Sequence, residues 1–196
     1  MKLAERMNRL GTETAFEVLA RARALEAKGK EIIHLEIGEP DFDTPKNITE
    51  RAKKALDQGF THYGPSAGLP ETRAAIAEYI SRTRKITVTP EEVVVTPGGK
   101  PIMFFVILAL INEGDEVIYP NPGFPIYESM INFVGGKAVP IPIREQNDFD
   151  IDLGELTPLL NSKTKLIILN SPANPTGGIL SKSTILQLAR MLKKYP

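Results

Sequence analysis

From residue 92 onward, short apolar runs alternate with longer stretches that repeat apolar residues every three or four positions. The runs Val93-Val94-Val95, Glu116 to Tyr119, Lys137 to Ile143 and Lys165 to Leu169 predict strands. Between and after them, Lys100 to Ile111, Pro125 to Phe133, Leu153 to Leu160 and Ser183 to Lys194 predict helices. Strands that are apolar on both faces and separated by helices imply a mostly parallel sheet flanked by helices, an α/β fold. The pattern ends on a helix, where a further parallel strand is expected, and the helix from Lys100 is apolar all round and needs cover. On both counts the pattern reads as truncated.

The first 90 residues follow a different pattern. Residues 13–28 predict a helix with Phe16, Leu19, Ala20, Ala24 and Ala27 on one stripe and Gly29 as its stop. Ile32 to Ile37 predicts a short strand, followed by the polar turn Gly38 to Asp43. Thr44-Pro45 has the form of an N-cap with proline at N1, opening a helix to Gln58. Gly59 to Gly68 reads as a loop and Leu69 to Arg84 as a helix. This half reads as an arm with flanking helices, not as a second independent domain.

Composition narrows the chemistry. With 24 basic and 24 acidic residues the formal net charge is zero, without the basic excess of a nucleic-acid or membrane-surface binder. Cysteine is absent, which removes disulfides, thiolate metal sites and thiol nucleophiles, and two histidines do not make a multi-histidine metal site. The longest apolar run, Ile102 to Ile111, is too short to span a bilayer, and the charged N-terminus has no apolar signal core. A soluble cytoplasmic protein is the expectation.

Candidate chemistry gathers at three expected strand ends, where open α/β sheets bind ligands. Thr96-Pro97-Gly98-Gly99-Lys100 joins a strand to a helix start, where free N–H groups and the positive dipole end form an anion site. It matches neither the P-loop nor the dinucleotide fingerprint, and a turn needing glycine for geometry is the competing reading. Asn121-Pro122-Gly123-Phe124-Pro125 can present Phe124 as a flat stacking surface, unless Phe124 is simply core. Asn170-Ser171-Pro172-Ala173-Asn174-Pro175-Thr176-Gly177 holds Asn174 between two prolines, though Asn-Pro is also an ordinary turn dipeptide. Phosphate-binding amides, an aromatic face and an amide side chain together suit a phosphorylated, planar aromatic cofactor with a ring oxygen. That chemistry fits pyridoxal phosphate better than a nucleotide, since no acidic ribose-binding residue stands at the right spacing.

Five motifs then fall in a recognisable order: Ile37-Gly38-Glu39-Pro40-Asp41-Phe42-Asp43-Thr44-Pro45, Tyr63-Gly64-Pro65-Ser66-Ala67-Gly68, Pro97-Gly98-Gly99-Lys100, Gly114-Asp115-Glu116-Val117 and Asn170 to Gly177. In these the chain resembles the N-terminal portion of the fold-type I, class I/II aminotransferases of the aspartate aminotransferase superfamily. The resemblance implies a pyridoxal 5'-phosphate enzyme that moves an amino group between an amino acid and a 2-oxo acid, as a homodimer. It implies that residues 1–45 are the N-terminal arm and a segment of the small domain, and 46–196 the first part of the large cofactor-binding domain. Asn174 would donate to the cofactor's phenolic oxygen and Phe124 would stack on its ring. Gly98, Gly99 and Lys100 would bind the phosphate, and Tyr63 would reach the phosphate of the partner's cofactor. Gly38 would contact the substrate carboxylate through its backbone. Two departures stand out: Pro101 removes an N–H from the first turn of the phosphate helix, and Phe124 replaces the Tyr or Trp of many members.

In such enzymes the Schiff-base lysine, the acid paired with the ring nitrogen and the carboxylate-binding arginines lie beyond the Asn-Pro-Thr-Gly loop. None of those motifs occurs in this chain, so no catalytic residue is assigned and the 196 residues alone are expected to be inactive. A pyridoxal-phosphate lyase of the same fold and a naturally short, non-catalytic binding or dimerisation module remain the alternative readings.

Overall fold

A computed structural model describes residues 2–11 and 14–195. The chain divides into two compact units, residues 1–14 with 100–196 and residues 15–99.

The first unit contains α4 (Lys100–Leu110), β1 (Glu116–Asn121), α5 (Ile126–Val134), β2 (Lys137–Pro142), α6 (Leu153–Leu156), β3 (Thr164–Ile167) and α7 (Lys182–Leu192). The strands form a parallel sheet in the order β2-β1-β3, with Ile118 of β1 opposite Val139 and Ile167. From Glu116 to Pro120 the central strand is buried without a break. Its side chains alternate between two cores, as the strand period requires. Val117 and Tyr119 join Ile107, Ile111, Tyr127, Met130 and Ile131 from the α4 and α5 side. Ile118 joins Ile141, Ile143, Ile151, Leu156 and Leu188 on the other face, where α6 and α7 lie. The expected parallel sheet covered on both faces is therefore present.

Residues 5–11 dock on α5, where the Ser129 hydroxyl accepts from the Gly11 amide at 3.0 Å and Arg9 donates to the Phe133 carbonyl at 3.2 Å. Only one stripe of the all-apolar α4 is covered within this unit. Ile107 is buried, whereas Ile102, Phe105, Leu108 and Leu110 are exposed.

The second unit carries α1 (Thr14–Glu26), which begins in the first, together with α2 (Lys46–Asp57) and α3 (Pro70–Arg84). Residue 13, the expected start of the first helix, lies outside the described residues. Pro45, not Thr44, takes the cap position of α2, and its carbonyl accepts from Ile48 and Thr49. Two expected strands are absent among the described residues. Val93 to Val95 has spent its backbone groups elsewhere: Arg73 Nε donates to the Val93 carbonyl at 2.8 Å, and the Val95 amide donates to Ala67 at 2.9 Å. Ile32 to Ile37 has no ladder partner, and Ile33 and Leu35 are 84% and 90% exposed. A strand is made by its neighbour, so apolar alternation without a partner leaves only extended chain. The expected helix Leu153 to Leu160 shortens into α6 followed by a 3₁₀ turn over Thr157–Leu159, because Pro158 cannot donate within a continuing helix.

At the N-terminal ends of the strands, buried Glu116 ties all three together. Its carboxylate accepts from Asn161 Nδ2 at 2.8 Å, beside β3, and pairs with Lys137 Nζ of β2 at 2.9 Å. The Asn161 hydrogen bond, then the Lys137 hydrogen bond, hold the Glu116 carboxyl below the usual carboxylate range. A depressed folded pKa stabilises above the unfolded value, about 4.3, and that stability is lost as pH falls through the folded value. Glu116→Gln is expected to cost about 1.5–3 kcal/mol at pH 7, the range for hydrogen bonds to a charged group. Urea unfolding of both proteins should show that difference shrinking below the carboxylate range.

Candidate functional site

The connections after β1 and β3 leave the sheet toward opposite faces. The first leads to α5, whose residues line one core, and the second to α7, whose Leu188 lines the other. Such a divergence opens a crevice at the C-terminal ends of parallel strands. Two expected site residues, Phe124 and Asn174, lie on these two connections and so share one sheet edge. Lys100 is the first residue of α4 in the same unit. Gly38, Tyr63, Gly98 and Gly99 belong to the second unit.

Phe124 is half-buried, packs against the core beside Tyr127 and meets that ring edge-on, with centroids 5.9 Å apart. Its carbonyl accepts the Tyr127 amide at 3.0 Å, which starts α5 directly behind the ring. Burial, with a hydrogen bond to Glu128, pushes the Tyr119 hydroxyl up to about 12, and burial also raises Tyr127.

The Asn174 loop is closed upon itself. The Asn174 amide donates to Asn170 Oδ1 at 2.8 Å, the Ala173 amide to Gly178 at 2.8 Å, and the Gly177 amide to Ala173 at 2.7 Å. Leu180 donates to Ser171 Oγ at 3.0 Å, drawing the two ends together. The exposed Asn174 carboxamide makes no hydrogen bond among the described residues and is available as a donor.

Beneath the loop lies a turn that sequence reasoning missed. Asp148 and Phe149 both have positive φ, 51° and 57°, a conformation that costs a non-glycine residue about 1–2 kcal/mol. The turn sends the Asp150 carboxylate to the start of α7. Asp150 Oδ2 accepts from the Ser181 amide at 3.1 Å and the Thr184 hydroxyl at 2.7 Å, while Oδ1 accepts from the Ile151 amide at 2.7 Å. A carboxylate only accepts, so the Thr184 proton points to Asp150. Ser181 Oγ, 2.8 Å from Thr184 Oγ1, then donates to it. Ser181 also caps α7 by accepting the Thr184 amide at 3.0 Å. Burial alone would raise the Asp150 carboxyl, but the Thr184, Ser181 and Ile151 hydrogen bonds outweigh it and hold it below its ordinary value. The partners stand 31 and 34 residues away, so no local pattern signals this contact.

Gly98 has φ +92°, which a side chain would oppose, and its amide donates to the Thr96 carbonyl at 2.9 Å. Beyond the adjacent residues, no atom comes within 4 Å of where a Cβ would stand on Gly98, Gly99 or Gly38. Tyr63 is fully exposed and lines a groove of about 390 Å³ with Phe60, His62, Pro65 and Leu69. Among the described residues no cluster of acidic, histidine or cysteine side chains could hold a metal ion, and no helix is long and apolar enough to cross a membrane.

Comparison with known proteins agrees with this architecture. The family described as aminotransferase class I and II matches residues 30–196. A probable aspartate/prephenate aminotransferase of Aquifex aeolicus is 39% identical over 95% of this chain and 48% of its own length. An aspartate aminotransferase of Pyrococcus horikoshii is 40% identical over 98% of this chain and 48% of its own. Among solved structures, aspartate aminotransferase from Thermus thermophilus with maleate superimposes with a TM-score of 0.94 at 38% identity. That match covers 99% of this chain and 51% of that one. The chain belongs to the class I and II aminotransferase family, whose cofactor is pyridoxal phosphate, and it spans about half the length of the relatives it matches.

Taken one by one, these residues are compatible with that cofactor. Gly98 and Gly99, in the second unit, leave open backbone that a phosphate could approach, and the unbonded Asn174 carboxamide, in the first, could meet a ring oxygen. Gly178 allows the Asn174 loop to close, because a Cβ there would stand 2.5 Å from Phe149 Cβ and 2.9 Å from its carbonyl oxygen. Neither atom is the free end of a flexible side chain. Gly178→Ala is expected to destabilise the fold by about 1–3 kcal/mol, the cost of overpacking a tight site, and urea unfolding measures it.

Proposed function

We propose that the complete protein is a pyridoxal-phosphate-dependent aminotransferase that transfers an amino group between an amino acid and a 2-oxo acid. The observation that carries this reading is the family match over residues 30–196, with the Asn174 loop and the Phe124 loop on one sheet edge. Aspartate, prephenate and alanine aminotransferases among the relatives support amino and oxo acids as the substrate class. On this reading residues 1–45 form the arm and a segment of the small domain, and residues 46–196 the first part of the large domain. The protein works as a cytoplasmic homodimer.

When bound, the cofactor supplies an electron sink for the substrate's α-carbon. This chain's residues hold and orient it. Gly98, Gly99 and Lys100 hold its phosphate at the start of α4, where the helix dipole favours an anion, with the Gly98 amide itself turned to the Thr96 carbonyl. Phe124 covers one face of the ring and excludes water from it. Asn174 donates its carboxamide N–H to the ring oxygen and so fixes the ring's rotation. The Gly38 amide receives the substrate carboxylate, and Tyr63 reaches the phosphate held by the partner subunit. No residue of this chain acts as the base, so the 196 residues alone turn nothing over.

The test follows 2-oxo acid and ammonia together in the complete protein, supplied with pyridoxal phosphate and a panel of amino donors and 2-oxo acceptors. The expected result is a new amino acid formed from the acceptor, without ammonia. Release of ammonia in place of a new amino acid sinks the transaminase reading and indicates a lyase. Asn174→Ala is expected to lower kcat/KM about 100-fold, as loss of one preorganised donor does. The 196-residue chain assayed by itself should give no product, and wild-type-like turnover from it would overturn the division of labour proposed here.

A further inference from the structure

Among the described residues, Asp150 is the one charged group hydrogen-bonded to any of residues 170–184. Its position is unusual for a surface acid. Two successive left-handed residues lead into it, and the second, Phe149, is the residue against which Gly178 packs. Phe149 and Leu180 both pack on the core cluster around Ile118 and Leu188. The turn at 148–150 therefore grips the far end of the Asn174 loop twice: by shape at Gly178, and by charge at Ser181 and Thr184.

The loop's other end is held by the sheet itself, since the Ile168 amide donates to the Ile118 carbonyl at 2.8 Å. Between these anchors the bonds Asn174 to Asn170, Ala173 to Gly178, Gly177 to Ala173 and Leu180 to Ser171 make residues 170–180 one closed piece. A closed piece moves as a body. Shifting its α7 end shifts the Asn174 carboxamide, although Asp150 touches neither Asn174 nor the space before it.

We propose that Asp150 is a positioning residue: by clamping Ser181 and Thr184 it sets the height and direction of the Asn174 carboxamide at the sheet edge. This rests on the reading of Asn174 as the group that donates to the cofactor's ring oxygen. Asp150 acts through Asn174 and never meets cofactor or substrate. The carboxylate suits the task because its two oxygens accept three hydrogen bonds at once, from Ile151, Ser181 and Thr184. An amide in its place keeps one accepting oxygen and turns the other into a donor.

The test is a mutant cycle in the complete holoenzyme, read by pyridoxal phosphate affinity and by the pH midpoint of the bound cofactor's visible band. Asp150→Asn is expected to weaken affinity about 5-fold, the loss of one net hydrogen bond. It should also move the band midpoint in the same direction as Asn174→Ala. In the Asn174→Ala background both effects should vanish, because the group being positioned is gone. Thr184→Val, which removes one donor and keeps the charge, should reproduce the pattern more weakly and serves if Asp150→Asn folds poorly. A lower melting temperature with wild-type affinity and midpoint would leave Asp150 a structural cap and overturn the proposal. So would effects of full size in the Asn174→Ala background. If Asn174→Ala alone changes neither affinity nor midpoint, the cofactor reading of Asn174 fails, and this inference fails with it.

Discussion

The sheet of the first unit hangs on one strand. From Glu116 to Pro120, β1 is buried throughout, pairs in parallel with β2 on one side and β3 on the other, and supplies side chains to two separate cores. Burying apolar surface contributes roughly 25 cal/mol per Å², and β1 draws on it from both faces. A strand in that position cannot slip by one residue, since a slip would exchange Val117 and Tyr119 with Ile118 and place each in the wrong core. Glu116 adds the polar half of the constraint, since its carboxylate meets Lys137 of β2 and Asn161, in the turn that leads into β3, at the N-terminal edge.

Chemistry at the opposite edge follows from that register. Once β1 and β3 are parallel neighbours, their C-terminal ends lie side by side. Their exits then lead to α5 and α7 on opposite faces of the sheet, the kind of divergence at which open α/β sheets bind ligands. Phe124 and Asn174 need no contact with one another to share that edge. The two residues are held differently. Phe124 is fixed by packing on Tyr127 and the core, whereas Asn174 is fixed by a loop that has satisfied its own backbone and leaves its carboxamide unbonded. Rigidity in the first comes from dispersion and in the second from hydrogen bonds, and both suit a flat, polar-edged ligand.

The Asp148 to Asp150 turn shows how a costly backbone is kept. Two non-glycine residues sit in the left-handed region, which local propensity opposes. What offsets this is mostly distant in sequence: the hydrogen bonds from Ser181 and Thr184 to the Asp150 carboxylate, the fit of Gly178 against Phe149, and Phe149 and Leu180 on the core. Strain of this kind persists where surrounding contacts over-determine it.

Much of this was legible in residue order alone. Apolar runs and helical periods predict β1, β2, β3, α4, α5 and α7 within a few residues, because each buries a face whose period appears directly in the sequence. The motifs from Ile37 to Gly177 mark the family for the same reason: glycines, prolines and an asparagine at loop positions carry geometry that few other residues supply. Val93 to Val95 and Ile32 to Ile37 looked like strands, yet pairing is a property of two segments and one segment cannot announce it. The Asp150 clamp, the Glu116 junction and the need for glycine at 178 were equally hidden, since each joins residues that are far apart along the chain or depends on the path of another loop. Local chemistry determined which elements form and which loops can bind. Tertiary structure decided which of those elements meet, because only folding brings their separated partners within bonding distance.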